Sequence, residues 1–217
     1  MQKTSLILAV EAEVKSLFKA DGTGHDWYHI ARVRDTALKI GEAEGANSEI
    51  TELAALLHDI ADHKFHNNNL EVGSTRALHL ILEKGGTRQM ANNVSKIVAE
   101  VSFKGAGVDT PVSSIEAAVV QDADRIDAIG AIGIARAFAY GGHKNRMLYN
   151  PQAPPRNHQN FEDYATDQGH TINHFYEKLL LLKDRMQTET GKEMAKDRHR
   201  FMETFLQQFY AEWNGKK

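Results

Sequence analysis

The chain has 217 residues, a formal net charge of −3, 25% charged residues and no cysteine. That length buries a full core without disulfides, and the missing thiols exclude a zinc ribbon, a cysteine nucleophile and an iron–sulfur centre. The balanced charge excludes a global basic field for nucleic acid, so any phosphate recognition must be local.

Helical periodicity runs along nearly the whole chain. Leu6, Val10, Val14, Leu17 and Phe18 form an apolar stripe behind a cap at Thr4. Its apolar run at 6–10 meets Glu11 and Glu13 at once, too short for a signal-peptide core or a membrane span, and the expectation is a soluble, cytoplasmic protein with no membrane partner. Asp26 caps a second helix with Ile30, Val33, Ala37 and Ile40 inward, ending near Gly45. Ser48 opens a third, with Leu53, Leu56, Leu57 and Ile60 inward. A fourth covers about 71–84 and stops at Gly85 and Gly86, and Thr87 starts a fifth with Met90, Val94, Ile97, Val98 and Val101. Ser113-Ser114-Ile115-Glu116 has the capping-box form and opens a sixth. Residues 141–169 carry no stripe and hold Pro151, Pro154 and Pro155, which reads as a long irregular loop. Its His143, Lys144, Arg146 and Arg156 suit an anionic ligand or a solvated basic loop. Two long helices, about 171–187 and 192–213, close the chain. The stripe of Phe201, Met202, Phe205, Phe209 and Trp213 on the last serves core packing or the seam of a homodimer. No segment alternates with turn chemistry around it, so the expected fold is all-α, a single domain over 1–217.

Eleven histidines outnumber the nine phenylalanines. They fall beside carboxylates in Gly24-His25-Asp26-Trp27-Tyr28-His29 and His58-Asp59-Ile60-Ala61-Asp62, and further acids cluster in Asp122-Ala123-Asp124-Arg125-Ile126-Asp127. The apolar neighbours Val119, Val120, Ile126 and Ile129 predict burial for part of the third cluster, and buried carboxylates are costly unless paired or bound to a cation. Clusters on three helices can converge on one ion through two imidazoles and two carboxylates, a donor set for Mn²⁺, Fe²⁺, Co²⁺ or Zn²⁺. Helix caps and core histidines account for the same residues without a metal. Adjacent helical residues point about 100° apart, so His58 and Asp59 bind one ion only at the seam between their directions.

The order His29, His58-Asp59, Asp124 resembles the HD superfamily of metal-dependent phosphohydrolases. The stretches GHDWYHIARV at 24–33, LHDIAD at 57–62, VQDADRIDAIGAIG at 120–133 and HFYEKLL at 174–180 resemble one bacterial branch of small single-domain HD hydrolases that includes nucleotide pyrophosphohydrolases. The resemblance implies an HD-domain helical bundle, with the irregular loop before two C-terminal helices. It implies His29, His58, Asp59 and Asp124 as metal ligands, with Asp122 and Asp127 as competing choices for the last. Asp127, three residues beyond Asp124 on the same helical face, can instead orient the site, and it joins Asp62 as a catalytic candidate. Asp62 lies one helical turn past His58 and would orient or deprotonate water, or relay a proton.

Arg32, Lys64, Lys104, Arg125, His174 and Lys178 are the candidate phosphate contacts, the His174/Lys178 pair sharing a helical face. His25 reads as pocket structure, His63 and His66 as pocket mouth or solvent-facing, and His79 as a helix-face residue, which leaves one divalent ion. Mn²⁺ is the foremost choice, with Fe²⁺, Co²⁺, Zn²⁺, Ni²⁺ or Mg²⁺ as alternatives. The implied activity is hydrolysis of a nucleoside triphosphate to monophosphate and pyrophosphate. A nucleotide phosphomonoesterase and a metal-containing ligand-binding or regulatory module are the alternatives.

Overall fold

The computed structural model describes residues 4–18, 26–60, 71–101, 109–156 and 169–217. Its α-helices are α1 Ser5–Leu17, α2 Trp27–Glu44, α3 Ser48–Leu57, α4 Glu71–Glu83, α5 Arg88–Val101, α6 Ile115–Asp127, α7 Gly130–His143, α8 Thr171–Glu177 and α9 Glu189–Trp213, with a 3-10 helix Leu179–Arg185 before α9. No strand occurs among the described residues, so the fold is all-α.

Side-chain caps start the helices. The Thr4 hydroxyl accepts the Ile7 N–H at 3.3 Å, and Asp26 accepts the His29 N–H at 2.8 Å. α2 ends at Gly45, whose φ of 73° is left-handed. α3 begins at Ser48 as expected, and Asn47 before it caps the helix through the Ile50 N–H at 3.0 Å. The capping-box form at 113–116 does not close on itself. Ser114 caps α6 through the Ala117 N–H, while Glu116 reaches across to the Asn47 N–H at 3.0 Å and ties α6 to the start of α3. The Ser113 N–H goes instead to Glu100, at 2.9 Å.

The core follows the stripes with one rotation. Ile7, Val10 and Val14 are buried on α1, whereas Leu17 is 43% exposed, so the inner face lies about one residue round from the expected one. Ile30, Val33, Ala37 and Ile40 of α2 are fully buried against α3 and α6, and residues 53–57 make α3 apolar on every side. Burying each large aliphatic side chain stabilises the fold by about 1.5–3 kcal/mol, which makes α2, α3 and α6 its rigid centre.

Two breaks depart from the periodicity. α6 stops at Asp127, and Gly130, at φ 76°, turns the chain into a separate helix, α7, which runs to His143 where an irregular loop was expected to begin. A Cβ on Gly130 would lie 3.0 Å from the Arg198 stem of α9. The expected helix at 171–187 is also broken: Lys178 adopts φ −141°, ψ −62° at the end of α8. The link that follows the 3-10 helix is tied to α6. Asp122, fully buried, accepts the Gln187 N–H at 2.8 Å, the Thr188 N–H at 2.8 Å and the Thr188 hydroxyl at 2.7 Å. Arg125 donates to the Arg185 carbonyl beside them. These tertiary bonds fix the link between the 3-10 helix and α9, and Thr188 caps α9 through the Gly191 N–H at 2.9 Å.

The described part of the irregular region is largely exposed, His143, Lys144 and Arg156 included, but it is tied to the C-terminal helices at a few points. The Thr171 and Ile172 N–H groups donate to the Met147 and Leu148 carbonyls, and Tyr149 sits edge-on against His170, Phe209, Tyr210 and Trp213. On the aromatic stripe, Phe205 packs on Phe138 and Phe175, whereas Phe201 and Trp213 at its ends are exposed. No helix among the described residues is long and apolar enough to cross a membrane.

Candidate metal centre

Three helix ends meet at one point. His29 lies in the first turn of α2, held there by the Asp26 cap, His58 is the C-cap of α3, and Asp124 lies in the last turn of α6. α3 ends at Leu57, and the Ile60 N–H turns back to the Leu57 carbonyl at 3.1 Å. His58 and Asp59 nevertheless reach one site, with His58 Nε2 and Asp59 Oδ2 3.6 Å apart.

The His29 and His58 Nε2 atoms lie 3.2 Å apart. Asp59 Oδ2 lies 3.2 Å from the first and 3.6 Å from the second, and Asp124 Oδ1 lies 3.6 and 3.8 Å from the same two atoms. Each imidazole is oriented from behind. His58 Nδ1 donates to the Ala55 carbonyl at 2.8 Å, and His29 Nδ1 donates to Asp127 Oδ2 at 2.8 Å. With both Nδ1 atoms protonated, both neutral rings present lone pairs at Nε2. Four acceptors therefore converge. Such a set is repulsive alone and matches a divalent cation in number and chemistry. The imidazole side is closed, whereas the Asp59 and Asp124 side chains are 17% and 28% exposed.

The electrostatics agree. Burial pushes the His29 imidazolium down, yet the Asp127 and Asp59 carboxylates outweigh it and the net direction is up, so the site attracts positive charge. Asp127 is itself buried, which would raise its carboxyl. Its bonds to His29 and Arg32, with Arg136 nearby, hold it well below the usual carboxylate range instead. Arg32 grips Asp127 with Nε at 2.7 Å and Nη2 at 3.1 Å, and Arg136 adds Nη1 at 2.8 Å.

Asp122, a competing choice for the last ligand, is consumed by the 187–188 backbone. Arg125, expected at phosphate, is buried, and it bonds the Arg185 carbonyl and the Thr110 hydroxyl (2.6 Å). Burial pushes its guanidinium down to about 10, and its hydrogen bonds serve the fold. His174 is half-buried on α8 and Lys178 half-buried at its C-cap, where the backbone leaves helical geometry and regular spacing no longer sets the direction of Lys178. His79 is exposed on α4. Asp62, Lys64, Lys104, His25, His63 and His66 lie outside the described residues. Arg136 was missed altogether: its only sequence signal was the Gly130 break that starts α7.

The family model for the HD domain matches residues 26–129. YpgQ of Bacillus subtilis is 39% identical over 197 residues, 90% of this chain and 87% of that protein. A solved Bacillus thuringiensis HD-superfamily hydrolase is 44% identical, with a TM-score of 0.73 and 96% of each chain covered. The chain belongs to the HD domain family. A Lactobacillus plantarum structure matches with a TM-score of 0.88 at 36% identity, covering 99% of this chain and 100% of that one. YpgQ has been solved in complex with ADP, and that structure matches with a TM-score of 0.75, covering 95% of this chain and 94% of that one. HD domains bind divalent metals, and His29, His58 and Asp59 form a group able to hold one here. The protein is thus an HD-superfamily hydrolase whose donor set suits metal-dependent phosphohydrolysis.

Proposed function

We propose that the protein hydrolyses a nucleoside triphosphate to the monophosphate and pyrophosphate, with one divalent ion, Mn²⁺ foremost, held by His29, His58, Asp59 and Asp124. The observation that carries this reading is the convergence of four acceptors with both imidazole Nδ1 protons tied back. The ADP complex of YpgQ supports a nucleotide as the phosphorylated ligand. When bound, such an ion supplies Lewis-acid polarisation of a phosphoryl oxygen and activation of water.

The chain's own residues do the rest. Asp59 and Asp124 border the open side, so phosphate and water approach past them. Asp62 orients the water and takes its proton as the water oxygen bonds to the α-phosphorus. The bond from that phosphorus to the α–β bridging oxygen breaks, and pyrophosphate leaves. Lys64, Lys104, His174 and Lys178 neutralise the non-reacting phosphates.

A panel of nucleoside mono-, di- and triphosphates with Mn²⁺, resolving phosphate from pyrophosphate, tests the reading. Triphosphates should yield monophosphate and pyrophosphate. Release of orthophosphate from monophosphates would make the protein a phosphomonoesterase. No product from any nucleotide, with metal bound, would remove the reading.

A further inference from the structure

We infer that Arg136, together with Arg32, is a positioning residue that acts through Asp127 to hold the His29 imidazole for metal binding. This inference rests on the metal-centre reading above and not on the choice of substrate.

The geometry is a shared carboxylate. Asp127 Oδ2 accepts from His29 Nδ1 and Arg136 Nη1, both at 2.8 Å, while Arg32 spans both oxygens with its fork at 2.7 and 3.1 Å. The donors come from α2 and α7, and the acceptor is the last residue of α6. Arg32 sits one turn beyond His29 on α2, so its fork sets the plane of the carboxylate beside the ring it supports. Arg136 holds the same oxygen that receives the His29 proton.

One guanidinium would neutralise Asp127. A second, with only 17% of its side chain exposed, adds desolvation cost and cation–cation repulsion. Neutralisation therefore does not account for Arg136, whereas fixing Oδ2 does. The chain has a specific device for bringing it there. The left-handed Gly130 divides α6 from α7, and on α7 Arg136 meets Asp127, nine residues earlier. Arg198 of α9 donates to the Ile126 carbonyl at 2.6 Å, anchoring the backbone next to the carboxylate. Loss of Arg136 leaves Oδ2 held by His29 and one arm of the Arg32 fork, and the ring gains freedom to tilt its Nε2 away from the other three acceptors. Partners that orient a ligating histidine in this way typically contribute about 10–100-fold to metal affinity.

The two arginines should respond differently to lysine. Arg136 uses a single nitrogen, which an ammonium can replace, whereas Arg32 uses a fork that it cannot. The test is Mn²⁺ affinity of the full-length protein, read from the free-ion resonance signal during titration, with thermal melting to confirm folding. Arg136→Met should weaken Mn²⁺ about tenfold, and Arg136→Lys should recover most of that loss. In an Asp127→Ala background, Arg136→Met should have no further effect, because its route runs through Asp127. Arg136→Gln serves the same comparison should the methionine variant fold poorly. Unchanged Mn²⁺ affinity in folded Arg136→Met or Arg136→Gln protein overturns the inference, as do losses from Arg136 and Asp127 that simply add. The readout is metal affinity, so failure here is distinguishable from failure to hydrolyse nucleotides.

Discussion

Replacing Asp122 with alanine separates the two acidic roles that lie two residues apart on α6. Asp122 is fully buried, and its carboxylate accepts two backbone N–H groups and a hydroxyl from residues 187 and 188. In Asp122→Ala, two N–H groups lose their acceptors, and each buried unsatisfied group costs about 1–3 kcal/mol. Water entering the small cavity relieves part of this, so a total near 3 kcal/mol is expected. For a protein of this size each kcal/mol lowers the melting temperature by about 2–4 °C, which gives a fall of roughly 6–12 °C. Metal content should stay at the wild-type level, since the Asp122 oxygens are occupied by the start of α9. Calorimetric melting with elemental analysis on the same samples measures both. An unchanged melting temperature with lost metal would refute the assignment and make Asp122 the ligand.

Asp124→Ala should do the reverse. Its side chain is partly exposed at the open side of the centre, so the protein should melt near the wild-type temperature and purify without metal; retained stoichiometric metal would remove Asp124 from the site. Gly130→Ala places a side chain at φ 76°, which costs about 1–2 kcal/mol, and crowds the Arg198 stem at 3.0 Å. It should lower the melting temperature by several degrees, and an unchanged melt would show that the turn relaxes. Asp62→Asn should keep metal and lose most turnover, and full activity in that variant would cancel the proposed role in handling water.

Local rules carried much of this structure. Thr4, Asp26 and Ser114 cap helices because a side-chain oxygen at an orphan N–H needs nothing beyond its own neighbourhood. The buried faces of α2 and α5 follow the 3.6-residue period for a similar reason, since one side of each lies against the core. What periodicity could not reveal depends on partners distant in sequence. Nothing near Gln187 or Thr188 announces that Asp122, over sixty residues earlier, will take their amides and fix the link before α9. Arg136 had no visible role because nothing in the periodicity places α7 against Asp127, which Arg136 bonds. In the site, His29, His58, Asp59 and Asp124 were legible as a constellation. The end of α3 at Leu57 was not, because the apolar pattern carries on through Ile60.

The position of the centre at three helix ends has an electrostatic consequence. α3 and α6 present their C-termini, each equivalent to a partial negative charge, while α2 presents a partial positive N-terminus. Asp26 accepts the His29 N–H at that N-terminus and offsets it with a full charge. Each helix end contributes only about 0.3–1 kcal/mol toward a cation, so the dipoles bias the site and the carboxylates decide it. The larger effect of the helix ends is geometric. A helix interior commits its carbonyls to its own amides, whereas an end leaves some free. The Ala55 carbonyl fixes the ring of His58, and the Ile126 carbonyl takes Arg198 beside Asp127. Carbonyls at the ends of two terminating helices thus help to aim one imidazole and steady the carboxylate that aims the other. Lengthening α3 or α6 by a turn would remove that aim without altering a single candidate ligand.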